Sequence, residues 1–336
     1  MKFLVLGGTL FLGRVFVEEA LLQGHEITIL HRGITNKGLF DNRVNEIFCD
    51  RNLNLKNAII QNYDVVLDTS AYLPNTVLNS VNFLKSKVDK YIFVSSVSVY
   101  KDFAIEEIDE SYGVGKIELD NSVQLTNESY GPLKALCENV VLDNFHDNSL
   151  IIRPGLIVGR YDPTDRFSYW VNRIANIKSN DMNRVLIPEV NNFNVQFISA
   201  TDLSKWIIKS SENNLIGTYN ATGPKPNLTF LNLLSICAKI GGTNPEYFLA
   251  SNKFLNEKNV QPWIDLPLYI GDDELYKGFS KININKAISN GLEFSSTEDI
   301  ITDTLNYING LEGNYKFKTG LELSRENDLI ELLTKS

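Results

Sequence analysis

Short apolar runs alternate with amphipathic segments along the first 150 residues of the chain. Residues 2–6 (KFLVL) are apolar and stop at two glycines, residues 12–23 carry apolar side chains at helical spacing, and residues 26–30 (EITIL) are apolar again. A continuous apolar run predicts a strand that is buried on both faces, and helical spacing predicts a helix that packs against such strands. Because strand–helix–strand crossovers are right-handed and join parallel strands, this unit predicts the start of a parallel sheet.

The same alternation continues to about residue 153. We predict further strands and helices at the following positions: strands at 46–49, 64–68, 91–95 and 150–153, and helices at 75–87 and 130–144. Strands that alternate with helices in this way indicate an α/β fold with a doubly wound parallel sheet, the Rossmann fold.

The alternation weakens after Pro154, which suggests a second, smaller lobe. Residues 196–224 return to a helix and strand, and four helices are predicted at 228–240, 283–290, 297–309 and 324–334. We therefore predict two domains with interleaved boundaries. The nucleotide-binding Rossmann domain takes residues 1–158 and 191–224, and the mostly helical, substrate-binding C-terminal lobe takes residues 159–190 and 225–336.

A glycine-rich turn, Gly7 to Gly13 (GGTLFLG), joins the first strand to the first helix. The N–H groups and dipole at a helix N-terminus favour an anion, so this turn predicts a site for the pyrophosphate of a dinucleotide. Leu10 stands where many such loops have a middle glycine, and the alternative is a tight turn without a ligand. The predicted cofactor contacts in the loop are Gly7, Thr9, Leu10, Phe11, Leu12 and Gly13.

The second strand ends at His31-Arg32-Gly33, without the acidic residue that selects NAD at this position. Since an arginine fork can pair with a 2′-phosphate, Arg32 favours NADP over NAD, unless Arg32 is a solvated loop residue. Further cofactor contacts are predicted at the ends of later strands, where a dinucleotide lies in such folds. These contacts are Asp50, Arg51, Ser70, Ala71 and Pro154.

Tyr130 and Lys134 lie four residues apart, on one face of the opening turn of a predicted helix. A phenol is a poor base at neutral pH, but a neighbouring ammonium and the charge of an oxidised nicotinamide favour its ionised form. Tyr130 is therefore predicted to exchange a proton with a substrate hydroxyl or carbonyl, and Lys134 to bind the nicotinamide ribose as well. Ser96, after the fifth strand, is predicted to orient the substrate oxygen. The alternatives are a solvated helix face and a strand-end cap.

Composition narrows the possible functions. A formal net charge of −9 and scattered basic residues make nucleic-acid binding an unfavoured function. The three cysteines and three histidines lack the spacing of a disulfide framework or a metal site, so no metal is predicted. No long apolar segment suggests a membrane span or a signal peptide, and a cytoplasmic location is predicted.

These motifs together resemble the extended short-chain dehydrogenase/reductase superfamily, in its NAD-dependent epimerase/dehydratase branch. The resemblance covers most of residues 1–310 and is carried by the glycine loop, the strand end at Ser96, the YxxxK pair, and the segments RPG (153–155) and QFI (196–198). More narrowly, HRG (31–33) and DPTDRFSYW (162–170) are similar to a bacterial reductase- or epimerase-like subgroup, which also resembles plant chloroplast proteins described as RNA-binding. This sequence has Arg160 at a position where the subgroup is expected to have a proline.

Candidate substrate contacts are fewer and rest on chemistry alone. Arg166 is expected to clamp a phosphate or carboxylate, and aromatic side chains are expected to form an apolar wall. The alternative for residues 162–170 is a simple connection between the two lobes. The predicted substrate residues are Tyr72, Ser98, Arg166, Tyr169 and Trp170.

The resemblance implies an NAD(P)-dependent oxidoreductase or epimerase/dehydratase that acts on an alcohol or carbonyl carbon, such as one in a sugar nucleotide. Tyr130 would be its acid/base group. The alternative is a binding protein without catalysis, either a nicotinamide sensor or an RNA-binding protein, in which Tyr130 has no task. A homodimer is implied by the family alone. The substrate and the direction of the reaction stay open.

Overall fold

The computed structural model describes residues 1–53, 55–59, 61–119, 123–178, 183–189, 193–225, 227–271, 273–313 and 315–335. Contacts divide the chain into two compact units. The first comprises 1–157, 198–223 and 282–294, and the second comprises 158–197, 224–281 and 295–336.

The first unit contains a seven-stranded sheet with all neighbouring strands parallel. Its strands run in the order β3-β2-β1-β4-β5-β6-β11, and the chain crosses from one half of the sheet to the other after β3. Ligands bind beside such a crossing point, outside the carboxyl ends of the strands. The strands are β1 Lys2–Leu6, β2 Glu26–His31, β3 Asn45–Phe48, β4 Tyr63–Asp68, β5 Val88–Val94, β6 Ser149–Pro154 and β11 Gly217–Ala221.

Helices pack on both faces of this sheet. Helices α1 and α6 contact each other, and α3 and α4 contact each other. A core cluster of buried apolar side chains from β1, β4 and β5 packs with side chains of α3 and α4, among them Val77, Val81, Cys137 and Val141. The helices are α1 Phe11–Leu22, α2 Leu55–Ala58, α3 Pro74–Leu84, α4 Asn127–Phe145, α6 Ala200–Glu212 and α9 Asn285–Ser289.

The second unit contains helices, the short parallel strand pair β8–β13 and the short antiparallel pair β9–β12. Helices α5, α7 and α10 contact one another around buried apolar side chains, and α11 packs on β8. Its elements are α5 Arg166–Ala175, β8 Arg184–Pro188, β9 Asn194–Val195, β12 Leu228–Thr229, α7 Phe230–Gly241, β13 Glu246–Ala250, α8 Asn252–Glu257, α10 Thr297–Asn309 and α11 Leu323–Thr334. Two further strands, β7 Leu156–Val158 and β10 Phe197–Ser199, lie at the boundaries of the units.

The prediction of a doubly wound parallel sheet is confirmed. Its six predicted strands correspond to β1 to β6, with ends that differ by a few residues. Helix α5 and the pair β8–β13 were not predicted, since their residues mix charged, aromatic and apolar side chains without a clear period. No helix among the described residues has the length and apolar character needed to cross a membrane.

Candidate active site

The glycine loop lies between β1 and α1, at the carboxyl edge of the sheet. A Cβ atom on Gly13 would come within 2.7 Å of the Gly8 nitrogen, so α1 packs directly against the loop backbone. The N-cap residue Leu10 makes no side-chain hydrogen bond to the helix, and the first turn of α1 carries no acidic side chain. Helix N–H groups without a side-chain cap suit phosphate oxygens, so the loop fits a pyrophosphate.

The rest of the loop is held by the segment that follows β2. The Thr9 carbonyl accepts a hydrogen bond from Asn36 Nδ2 at 2.9 Å, and the Thr9 hydroxyl lies 3.3 Å from that of Thr35. The Leu10 side chain is exposed, Leu12 is buried, and Phe11 has a φ of +37°. Thus the replacement of a middle glycine by Leu10 is accommodated, because the leucine side chain points to solvent.

The three residues predicted at the adenine end of the cofactor site, Arg32, Asp50 and Arg51, differ in burial and in hydrogen bonding. Arg32 is exposed after β2, where it is accessible to a ligand. Asp50 is half-buried and accepts the Asn52 N–H at 2.9 Å. Arg51 instead forms a two-bond ion pair with Asp68, at 2.8 and 2.7 Å, and is 9% exposed. The sequence pattern did not reveal this pairing, although an acidic residue at the end of an apolar strand, Asp68, was a usable signal.

The start of α4 is fixed by a reciprocal cap. Thr126 Oγ1 accepts from the Ser129 N–H at 3.2 Å, and Ser129 Oγ accepts from the Thr126 N–H at 2.8 Å. This capping box begins the helix three residues before Tyr130. A Cβ on Gly131 would lie 2.0 Å from the Ser98 carbonyl oxygen, so only glycine lets α4 approach the turn after β5 so closely. The role of Gly131 was not predicted.

Close approach of α4 brings Tyr130 to Ser96. The two side chains share a hydrogen bond, and the Tyr72 ring lies 6.2 Å from the Tyr130 ring. Ser96 Oγ also accepts from the Ser98 N–H at 3.1 Å, so Ser98 positions Ser96 through its backbone. Tyr72 is 45% exposed and is accessible to a ligand. The structure therefore brings together Tyr130, Ser96, Ser98 and Tyr72 as neighbours in one unit.

Lys134 lies one turn beyond Tyr130 and is 3% exposed. Its ammonium donates to the carbonyls of Ala71, at 2.9 Å, and Val94, at 2.6 Å. An ammonium has three N–H donors, so these two bonds leave one for a ligand hydroxyl. Burial lowers the pKa of Lys134 from its ordinary value of 10.5 to about 8.

The pKa of Tyr130 departs from its ordinary value in the direction opposite to the one predicted for the complete site. Burial raises it, the neighbouring Tyr72 raises it further, and the hydrogen bond from Ser96 acts the other way. Without a ligand, Tyr130 is therefore a neutral phenol at physiological pH, able to donate a proton. Activation as a base requires a further positive charge, which Lys134 does not supply by itself here.

The remaining predicted residues divide between the two units. Pro154 ends β6 in the first unit, beside β11. In the second unit, Tyr169 is 5% and Trp170 0% exposed, and Trp170 Nε1 donates to the Pro267 carbonyl at 2.6 Å. Both belong to the core of that unit, and their burial gives no support to the predicted contact with substrate. Arg166 is half-buried, with its guanidinium 5.2 Å from the centre of the Trp263 ring.

Comparisons with known proteins identify the family. A profile of the NAD-dependent epimerase/dehydratase family matches residues 3–221. The chain belongs to this family and is an enzyme of the short-chain dehydrogenase/reductase type. No curated protein matches the chain.

Solved structures of sugar-nucleotide epimerases share the fold. UDP-glucuronic acid 4-epimerase from Bacillus cereus, in complex with NAD, has 18% identity and a TM-score of 0.65, over 94% of this chain and 100% of that one. The UDP-Glc/GlcNAc 4-epimerase of Campylobacter jejuni has 16% identity and a TM-score of 0.66, over 92% and 99%. UDP-glucose 4-epimerase from Bifidobacterium longum, in complex with NAD+ and UDP, has 17% identity and a TM-score of 0.64, over 92% and 98%.

Proposed function

We propose that this protein is an NAD(H)-dependent epimerase that inverts a hydroxyl-bearing carbon of a nucleotide sugar. One observation carries the proposal. The Tyr130 phenol shares a hydrogen bond with Ser96 and lies one helical turn from the buried Lys134 ammonium, in the unit that also contains the glycine loop. Family membership and the structural neighbours, which are 4-epimerases of UDP-glucuronic acid and UDP-glucose, support the same class of substrate.

The residues of the first unit fit a nicotinamide dinucleotide. The uncapped start of α1 would hold its pyrophosphate, and the third N–H of Lys134 would hold a hydroxyl of the nicotinamide ribose. When bound, the oxidised nicotinamide supplies a hydride acceptor and a positive charge that favours a phenolate at Tyr130. Comparison structures with NAD support NAD(H), and the NADP preference rests on Arg32 alone and stays a prediction.

Tyr130 then performs the proton transfers. Its phenolate oxygen accepts the proton of the substrate hydroxyl as that carbon is oxidised, and returns a proton to the carbonyl oxygen as the carbon is reduced on its other face. Ser96 Oγ, which is bonded to Tyr130, would hold the same substrate oxygen in line with the phenol. Because Tyr130 returns in the reduction the proton that it accepted in the oxidation, it ends each turnover in the protonation state in which it began.

Arg166 is the residue we propose for the anionic part of the substrate. Its Nε atom is buried without a hydrogen-bond partner among the described residues, and its guanidinium lies over Trp263. Buried donors are rarely left unpaired, and a guanidinium on an aromatic ring suits a phosphate or carboxylate. We expect the substitution Arg166→Gln to raise KM for a nucleotide sugar more than it lowers kcat.

The test is direct. The purified protein is denatured and the released nucleotide is identified by chromatography, and UDP-glucose, UDP-glucuronic acid and UDP-N-acetylglucosamine are each incubated with the native protein. We expect to find NAD(H) in the denatured sample. We also expect proton NMR to show the conversion of at least one of the three sugars to its epimer. Net consumption of NADPH with a carbonyl substrate would instead indicate a reductase, and loss of water from the sugar a dehydratase.

A further inference from the structure

The carboxylate of Asp68, at the end of β4, is completely buried and accepts four hydrogen bonds. Arg51 donates to both of its oxygens, at 2.8 and 2.7 Å, the Tyr91 hydroxyl donates at 2.8 Å, and the Ser70 N–H at 3.1 Å. Every strong acceptor direction of the carboxylate is therefore occupied. Such a fully bonded arrangement holds its members in one geometry.

Stability alone does not explain this pair. Removing two opposite charges from water costs about as much free energy as their attraction returns, and apolar side chains of similar volume often serve a core equally well. The pair lies next to residues that contact the proposed active site, so its position indicates a role in that site. What it adds to the fold is a fixed geometry for the chain that follows Asp68.

That chain is tied down at successive residues. Arg51 Nη1 lies 3.3 Å from Ser70 Oγ, and Ser70 Oγ in turn donates to the Leu6 carbonyl at 3.0 Å, at the end of β1. The next residue, Ala71, is the one whose carbonyl accepts from Lys134. A continuous path of hydrogen bonds and one peptide unit therefore leads from Arg51 to the Lys134 ammonium.

We propose that Arg51 and Asp68 form a positioning pair, which fixes residues 69–71 so that the Ala71 carbonyl holds the Lys134 ammonium for the cofactor. The inference rests on the proposed function, since the position of Lys134 matters only if this residue contacts a nicotinamide dinucleotide. Arg51, which we predicted from the sequence to contact the cofactor directly, acts instead through Asp68 and Lys134.

The test is a double-mutant cycle on NADH affinity, measured by fluorescence titration of the protein freed of nucleotide. Asp68→Asn removes the charge at constant shape, and Lys134→Met removes the ammonium. If Asp68 acts through Lys134, Asp68→Asn weakens NADH binding about tenfold in the wild type and leaves the affinity unchanged in the Lys134→Met background. Equal weakening in both backgrounds would overturn the inference.

Two further variants keep the test decisive. Tyr91→Phe deletes one hydrogen bond to Asp68 and leaves no buried charge unpaired, so it replaces Asp68→Asn in the cycle if the latter does not fold. Its effect on NADH affinity must likewise vanish in the Lys134→Met background. Glu326→Gln breaks a matched buried pair of the second unit, Arg173–Glu326, joined at 2.8 Å. This control should lower the melting temperature without changing NADH affinity.

The outcomes separate the inference from the function on which it rests. A wild-type chain that binds no NADH contradicts the proposed function, and the positioning role falls with it. A wild-type chain that binds NADH while the cycle is additive leaves the proposed function intact and overturns the positioning role alone. An NADH affinity that falls as much in Glu326→Gln as in Asp68→Asn would also overturn it, because the effect would then follow stability.

Discussion

Helix α4 of the first unit and helix α5 of the second both open with polar and aromatic residues, yet they place these residues differently. In α4, the opening turn meets the end of β5, and Tyr130 bonds to Ser96 there. In α5, the opening turns pack into the core of their unit, and Tyr169 and Trp170 are buried. The two helices have similar composition at their starts and different surroundings.

This difference shows what makes an aromatic residue a good candidate for a functional site. Tyr130 follows a strand-end serine and a glycine loop in the order of one known sheet architecture, so its surroundings were predictable. Tyr169 and Trp170 had no strand end beside them in the sequence. Large aromatic side chains on a helix that packs against other helices contribute mainly to the core.

The largest expected effect on stability sharpens this contrast. We expect Trp170→Ala to lower the free energy of unfolding by about 4 kcal/mol, because a fully buried indole and its hydrogen bond to Pro267 are lost. Tyr72→Ala, at an exposed aromatic residue of the candidate active site, should change the free energy of unfolding by less than about 1 kcal/mol. Urea unfolding of the ligand-free proteins measures both, and equal losses would contradict the assignment of these residues.

Burial of the Lys134 ammonium makes the stability of the fold depend on pH. Lys134 has a pKa of about 8 in the folded state against 10.5 ordinarily, so between these values the unfolded chain binds more protons and stability rises with pH. The stability of the wild type relative to Lys134→Met should therefore increase by about 3 kcal/mol between pH 7 and pH 10.5. Urea titrations across this range check the sign. A difference that stays constant with pH would mean that Lys134 is hydrated.

A smaller effect is expected in the glycine loop. Gly13→Ala adds a Cβ that would lie 2.7 Å from the Gly8 nitrogen, so the loop must shift and NADH affinity should fall about tenfold. Gly113→Ala is the matched control, because its Cβ would meet only the flexible Lys101 side chain, at 3.4 Å. Unchanged NADH affinity in Gly13→Ala would show that the loop does not hold the cofactor.

The smallest effect tests the choice of cofactor. Arg32 is exposed, so a pair between its guanidinium and a 2′-phosphate would be screened by solvent. We expect Arg32→Ala to weaken NADPH binding by up to about fivefold and to leave NADH binding unchanged. Isothermal titration with both nucleotides gives the comparison. Equal affinities of the variant and the wild type for NADPH would remove the basis for an NADP preference.

The sheet and most of the candidate site could be predicted because they depend on local order along the chain. Apolar runs of four or five residues identified β1 to β6, and motifs at strand ends identified the neighbourhood of Gly13, Ser96 and Tyr130. Parallel strands place their carboxyl ends at one edge, so residues distant in sequence were expected to meet there.

Contacts that side chains make with distant parts of the chain could not be predicted in the same way. The pairing of Arg51 with Asp68, and of Lys134 with the Ala71 carbonyl, depends on the depth at which each side chain lies beside its neighbours. The close approach at Gly131 likewise depends on the angle at which α4 passes the end of β5. A single sequence gives the order of the elements and not these distances.

The substitution Tyr130→Phe removes the phenol oxygen and keeps the ring, so it tests the proton transfer itself. We expect kcat for sugar epimerisation to fall about a thousandfold, with NADH affinity and the free energy of unfolding unchanged. A variant that retains most of its epimerase activity, while it binds NADH as the wild type does, would contradict Tyr130 as the acid/base group.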